Sequence, residues 1–171
     1  MKVELIKHPT TADWLLAKQC ALVTVNKKAT TEPSLEWKKK ILEARHSPIR
    51  VLEFAFYGEM PSYVSVHLVR HIHAQPFVST QRNDRQSKYD RRKAPQDAPV
   101  KMIWYMNAEE LMIIANKRLC FQADPETRRF VQMLCDEVIK VCPEFKGLLV
   151  PMCVYHNGKC HEMNPCGKAD S

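Results

Sequence analysis

Arg50-Val51-Leu52-Glu53-Phe54-Ala55-Phe56-Tyr57 is the stretch whose reading decides the fold. Leu52, Phe54 and Phe56 fall on one face, and Val51, Glu53, Ala55 and Tyr57 fall on the other. That period of two predicts a strand with one face on a core. Val100 to Met106 reads as a second strand, and the segments around the two read as helices. Gly58 to Pro61 is expected to turn the chain into a helix beginning near Ser62 and ended by Pro76. Upstream, Thr10 or Thr11 caps a helix to Val23, with Leu15, Leu16, Gln19 and Leu22 on a shared face. Ser34 caps another over Leu35 to Ala44. Downstream, Asn107 caps a helix running to about Arg118, with Glu110 at the reciprocal capping-box position. Asp124-Pro125 opens the last long helix, with Val131, Leu134, Val138 and Val141 on one stripe before Pro143. The expectation is an α+β fold: a small mixed or antiparallel sheet packed with helices. One domain covers residues 1–171, ending in a cysteine-rich tail at 150–171.

Composition limits the function classes. Hydrophobic residues make up 45% and charged residues 26% of 171, enough for a real core and against global disorder. No run reaches the roughly 18 apolar residues of a membrane span. The N-terminus lacks the apolar stretch of a secretory signal, which predicts a cytoplasmic protein whose seven cysteines are thiols rather than disulfides. The net charge of +7 suits an anionic partner. Much of that charge gathers between Thr80 and Pro99, where Arg82, Arg85, Lys88, Arg91, Arg92 and Lys93 crowd into what reads as a functional loop.

Three constellations could carry chemistry. At helical spacing His67, Arg70 and His71 share one face; this is either a solvated polar face or a site for an anion or flat heterocycle. Ser79-Thr80-Gln81-Arg82 offers the hydroxyl, amide and guanidinium donors that suit a phosphate monoester. Cys153, His156, Cys160, His161 and Cys166 have the chemistry of zinc ligands but lack paired CxxC spacing, so no metal is assigned. With four glycines in the chain there is no glycine-rich phosphate loop, and no nucleic-acid-binding motif appears.

Arg70-His71-Ile72, then His73 to Ser79, then Thr80-Gln81-Arg82 resembles the first signature of the flavin-dependent thymidylate synthases. Asn107-Ala108, Leu111-Met112, Arg118 and Ala123 with Glu126 are similar to the family's second signature. Ser47-Pro48 and Val23-Thr24 extend the resemblance to roughly residues 20 to 145. It implies FAD at a subunit interface of a homotetramer. It further implies reductive methylation of dUMP to dTMP, with methylenetetrahydrofolate as carbon donor and NADPH as reductant. By position, Arg118 is the catalytic arginine that activates the uracil. His67, Ser79, Thr80, Gln81 and Arg82 join it in binding the nucleotide. Thr24, Ser47, Arg70, His71 and Asn107 match positions that contact the flavin. Ile72 and Glu109 stand where the family has arginines, Ile113 where it has asparagine and Gln122 where it has histidine. Two alternatives stay open: a nucleotide-binding homologue without flavin chemistry, or an enzyme modifying another pyrimidine nucleotide. A nucleic-acid-binding role ranks last, with only charge behind it.

Overall fold

The structure is a computed structural model that describes residues 1–79, 90 and 92–168. Its centre is the pair β2 (Glu53–Pro61) and β4 (Pro99–Asn107), antiparallel from Glu53 opposite Asn107 to Pro61 opposite Pro99. Opposed residues share a face, so Phe54 with Met106, Phe56 with Trp104 and Met60 with Val100 line one buried side. Phe54 meets the Phe145 ring edge-on at 5.4 Å and 86°. β1 (Lys2–Lys7) adds to the far side of β2 and β3 (Gln75–Val78) to the far side of β4. The sheet is therefore four antiparallel strands in the order β1-β2-β4-β3. The fold is α+β, with an antiparallel sheet.

Six α-helices complete the described residues: α1 (Thr11–Val23), α2 (Leu35–Glu43), α3 (Ser62–Leu68), α4 (Ala108–Arg118), α5 (Pro125–Val141) and α6 (Met152–Tyr155). Local chemistry explains their starts. Thr10 and Asp13 form a reciprocal capping box on α1, and Ser34, Asn107 and Asp124 accept from the backbone N–H three residues on. The first N–H groups of α3 donate elsewhere, Ser62 to the Ala98 carbonyl and Tyr63 to that of Gln96. α5 seats Phe130, Val131, Leu134 and Val138 in the core, while Val141 is half exposed at its end. It crosses the sheet so closely at Gly58 that a Cβ there would lie 2.6 Å from the Phe130 ring. No described helix is long and apolar enough to cross a membrane.

Several expectations need correction. Gly58 to Pro61 is the second half of β2, paired with β4, and not a turn. Arg50 and Val51 belong to a 3-10 turn, Ser47–Val51, so the strand starts at Glu53. α3 ends at Leu68, well short of Pro76, which lies inside β3. Pro76 is tolerated there because β3 is an edge strand. α1 buries Trp14 and Ala17, whereas Leu15 and Leu16 are exposed. Gln19 turns to the following polar segment, where its Oε1 accepts from the Ala29 N–H at 2.9 Å.

Candidate functional site

Three elements converge where α3 ends and α4 ends. Arg118 is the last residue of α4. Its Nε donates to His71 Nε2 at 2.9 Å, and its Nη2 donates to the His67 carbonyl at 2.8 Å, one of the carbonyls the end of α3 leaves without a helical partner. His71 Nδ1 lies 3.2 Å from Glu110 Oε1, a carboxylate two turns back along α4. Because Nε2 accepts from a guanidinium, the ring proton is on Nδ1 and points at that carboxylate. Glu110, His71 and Arg118 thus form one hydrogen-bonded chain. Glu110 is 3% exposed, and the His71 ring packs edge-on against buried Trp104 with centroids 6.3 Å apart. Burial, and next the nearby charge of Arg70, push the Arg118 guanidinium below its usual range. An arginine remains charged through such a shift, so the corner holds a fixed, partly buried cation.

A second chain braces the same corner. His67 Nδ1 lies 2.8 Å from Thr127 Oγ1, and that fully buried hydroxyl donates to Asp124 Oδ1 at 3.0 Å. The hydroxyl hydrogen is committed to Asp124, so His67 is the donor to Thr127. Burial pushes the Asp124 carboxyl upward, but hydrogen bonds from the Thr127 amide and hydroxyl outweigh it and leave it below the usual range. Beside them the Tyr63 hydroxyl donates to Glu126, which pushes the phenol up to about 12.

The remaining residues expected to touch ligand divide into groups. Thr24 and Ser47 line one cavity of about 550 Å³ between α1 and α2. Lys40 and His46 line it too, against apolar walls from Trp37, Ile41 and Pro48. Thr24 Oγ1 already donates to the Ala21 carbonyl at 2.8 Å. Arg70 is exposed beside Arg118 rather than at this cavity. Asn107 spends its side-chain oxygen on the Glu110 N–H at 3.0 Å, as the cap of α4. Ser79 continues the β3–β4 ladder, its Oγ accepting from the Lys101 N–H at 3.0 Å. Thr80, Gln81, Arg82, Arg85, Lys88 and Arg91 lie outside the described residues.

Two readings of the helical face change here. His67 belongs to α3, but Arg70 and His71 follow its end, and Ile72 is 83% exposed. Glu110 does not complete a capping box; its carboxylate faces His71 instead. The spacing of α4 could not announce this, because the partner arrives from a different element. Glu109 grips Arg50 through both carboxylate oxygens, at 2.6 and 3.2 Å. Thr127, Lys40 and His46 carried no sequence signal of their own.

Comparison with known proteins bears on α4 and α5 above all. Residues 89–144 match the family model described as thymidylate synthase complementing protein. Over 76 residues the chain is 38% identical to the flavin-dependent thymidylate synthase of Clostridium tetani (strain Massachusetts / E88). That match covers 44% of this chain and 30% of the clostridial protein, so the chain spans under a third of the relative's length there. Glu110, Arg118, Asp124 and Thr127 all fall inside the family-matched segment, and the chain resembles the flavin-dependent thymidylate synthases.

Proposed function

We propose that this protein is a flavin-dependent enzyme that methylates a pyrimidine nucleotide, with dUMP as substrate, methylenetetrahydrofolate as carbon donor and NADPH as reductant. The observation that carries the reading is the Glu110–His71–Arg118 chain, which fixes one guanidinium at the end of α4 beside a second at Arg70. Negative charge that develops on a uracil ring needs a cation already oriented toward it, since reorienting one during reaction costs part of the gain. Neutral His71 orients Arg118 without adding a competing charge, and Glu110 holds His71 in the required tautomer. Arg70 contributes charge toward an anionic ligand at the same corner. Thr80, Arg82, Ser79 and Gln81 would take the phosphate, and His67 would meet the nucleotide.

The residues present fit a flavin nucleotide. The cavity holding Thr24 and Ser47 combines a lysine, an imidazole and hydroxyls with apolar walls, and its volume is within the usual range for small-molecule sites. FAD, when bound, would supply the reducing equivalents. Thr24, Ser47, Lys40 and His46 would hold its anionic and polar parts, while Arg70 and His71 would face it from the Arg118 corner. Contacts divided between two regions suit a site completed by further copies of the chain, a homotetramer acting in the cytoplasm. A second reading, a nucleotide-binding homologue without flavin chemistry, is favoured by one observation. Thr24 and Asn107 already spend side-chain atoms on the backbone.

Parallel titrations with FAD, dUMP and deoxyuridine separate the readings. Saturable FAD binding, with dUMP about 10- to 150-fold tighter than deoxyuridine, is expected from one charge-assisted phosphate contact. Nucleotide binding without FAD uptake selects the second reading. Equal affinity for nucleotide and nucleoside overturns both.

A further inference from the structure

The tail and the end of α4 meet around a second, much smaller cavity. It has a volume of about 50 Å³, and Cys120, Cys153, Cys160 and Cys166 all line it. A space of that size admits an ion but no organic cofactor, given that one water occupies about 30 Å³ in the liquid. The sequence shows only the tail thiols; the fold adds Cys120 from the turn after α4. Two clamps interleave with the thiols along the chain. Lys117 Nζ pairs with Glu162 Oε1 at 3.0 Å, and Gln122 donates to the Asn164 carbonyl. Residues on either side of Cys120 are thereby tied to residues between Cys160 and Cys166.

Tyr155 anchors the start of the tail, packing on the core with its hydroxyl donating to the Glu43 carbonyl at 2.8 Å, but the chain beyond it has little apolar burial. None of residues 151–168 is buried, and Met163 is 94% exposed. Beyond α6 the described tail has no helix or strand, and it bends through positive φ at Asn157, Gly158 and Gly167. A segment with so little apolar burial gains order from a cross-link. All four cysteines are free thiols. Among the described residues, no three potential donors already stand gathered at ligating distance. Binding therefore requires the thiols to turn inward from the wall they share.

We propose that Cys120, Cys153, Cys160 and Cys166 form a structural zinc site that pins the tail to the end of α4. Four thiols and one Zn²⁺ give a tetrahedral tetrathiolate of net charge −2, releasing four protons to solvent. Lys168, which also lines the cavity and lies 4.1 Å from the Phe121 ring centroid, adds positive charge beside that centre. The proposal is independent of the nucleotide reading.

The test uses the full chain, reduced, loaded with Zn²⁺ or Co²⁺ and freed of excess metal by gel filtration. One zinc per chain is expected, and the cobalt form should show the sulfur-to-metal charge-transfer and intense visible bands of a tetrahedral thiolate. Cys153→Ser with Cys160→Ser should abolish retention, while Cys20→Ser, outside the cluster, should keep it. A reduced wild type that retains no metal overturns the proposal. So does a cobalt spectrum without thiolate bands, or zinc retention in the double variant equal to wild type. If the double variant does not fold, the wild-type cobalt spectrum alone decides.

Discussion

The Arg118 corner and the cavity between α1 and α2 differ in how far their polar groups are already committed. At the corner each named group has a partner: Glu110 with His71, His71 with Arg118, Arg118 with the His67 carbonyl and His67 with Thr127. Glu110 and Thr127 are buried and the His71 side chain is 10% exposed, so these partners set the direction of Arg118 and His67 before any ligand arrives. The cavity instead joins a few separated polar side chains to broad apolar walls. Preorganised charge suits a reacting ring, where a small error in direction is expensive. A loosely furnished cavity suits a large ligand held by area and a few hydrogen bonds.

The sharpest way to break that contrast is Arg118→Lys. Lysine keeps the charge but cannot donate to His71 and His67 through one planar fork. Turnover of dUMP should fall about 10²- to 10³-fold, the usual effect of removing a directed charge-stabilising donor. FAD affinity should stay at the wild-type value in a fluorescence titration. Unchanged turnover would remove Arg118 from the chemistry.

Glu110→Ala should act next most strongly, through folding as well as function. It leaves the His71 Nδ1–H without its acceptor in a buried setting, at a cost of about 1–3 kcal/mol in urea unfolding. Glu110→Gln retains an acceptor oxygen and should recover part of that loss. If alanine and glutamine prove equally harmless, the corner is not preorganised by this carboxylate.

Ser47→Ala combined with Thr24→Val probes the other region. Each lost hydroxyl contact is worth about 0.5–1.5 kcal/mol, so FAD should weaken several-fold or more while dUMP affinity holds. A loss of dUMP affinity with no change for FAD would reverse the assignment of the two regions.

The smallest effect belongs to Tyr63 at the rim of the corner. Its phenol keeps a proton up to about 12, against an ordinary value of 10.0, because it donates to Glu126. Above pH 10 the unfolded chain loses this proton while the native state retains it. Its stabilising contribution is therefore complete below pH 10 and lost between pH 10 and 12. Tyr63→Phe should flatten that part of the melting-temperature profile, and a slope identical to wild type would show that the contact does not persist in solution.

The legible features were those written in neighbouring residues. Caps at Thr10, Ser34, Asn107 and Asp124 announced four helices, and the alternation through Phe54 and Phe56 announced β2. The edge strands were illegible for a physical reason. β1 half-buries only Val3 and Leu5, and β3 carries Pro76, so neither has a core face strong enough to show a period. The resemblance named His71 and Arg118 but not the link between them. Glu110 looked like a local capping residue until the fold brought His71 to it from across the α3 turn. The thiol cavity was half visible for the same reason, since Cys120 is remote in sequence from the tail.

Gly58 carries a consequence for how this sequence can change. Glycine-to-alanine replacement is a standard route to stiffer strands, because it reduces the freedom of the unfolded chain. At Gly58 that route is obstructed by the Phe130 ring, 1% exposed, at 2.6 Å and by the Met60 methyl at 2.9 Å. Positions 58 and 130 are therefore coupled: a methyl on the strand needs ring volume given up on the helix and a shift of the flexible Met60 end. Gly58→Ala should cost less stability in a Phe130→Leu background than in the wild type, a coupling that screens varying one site at a time would miss.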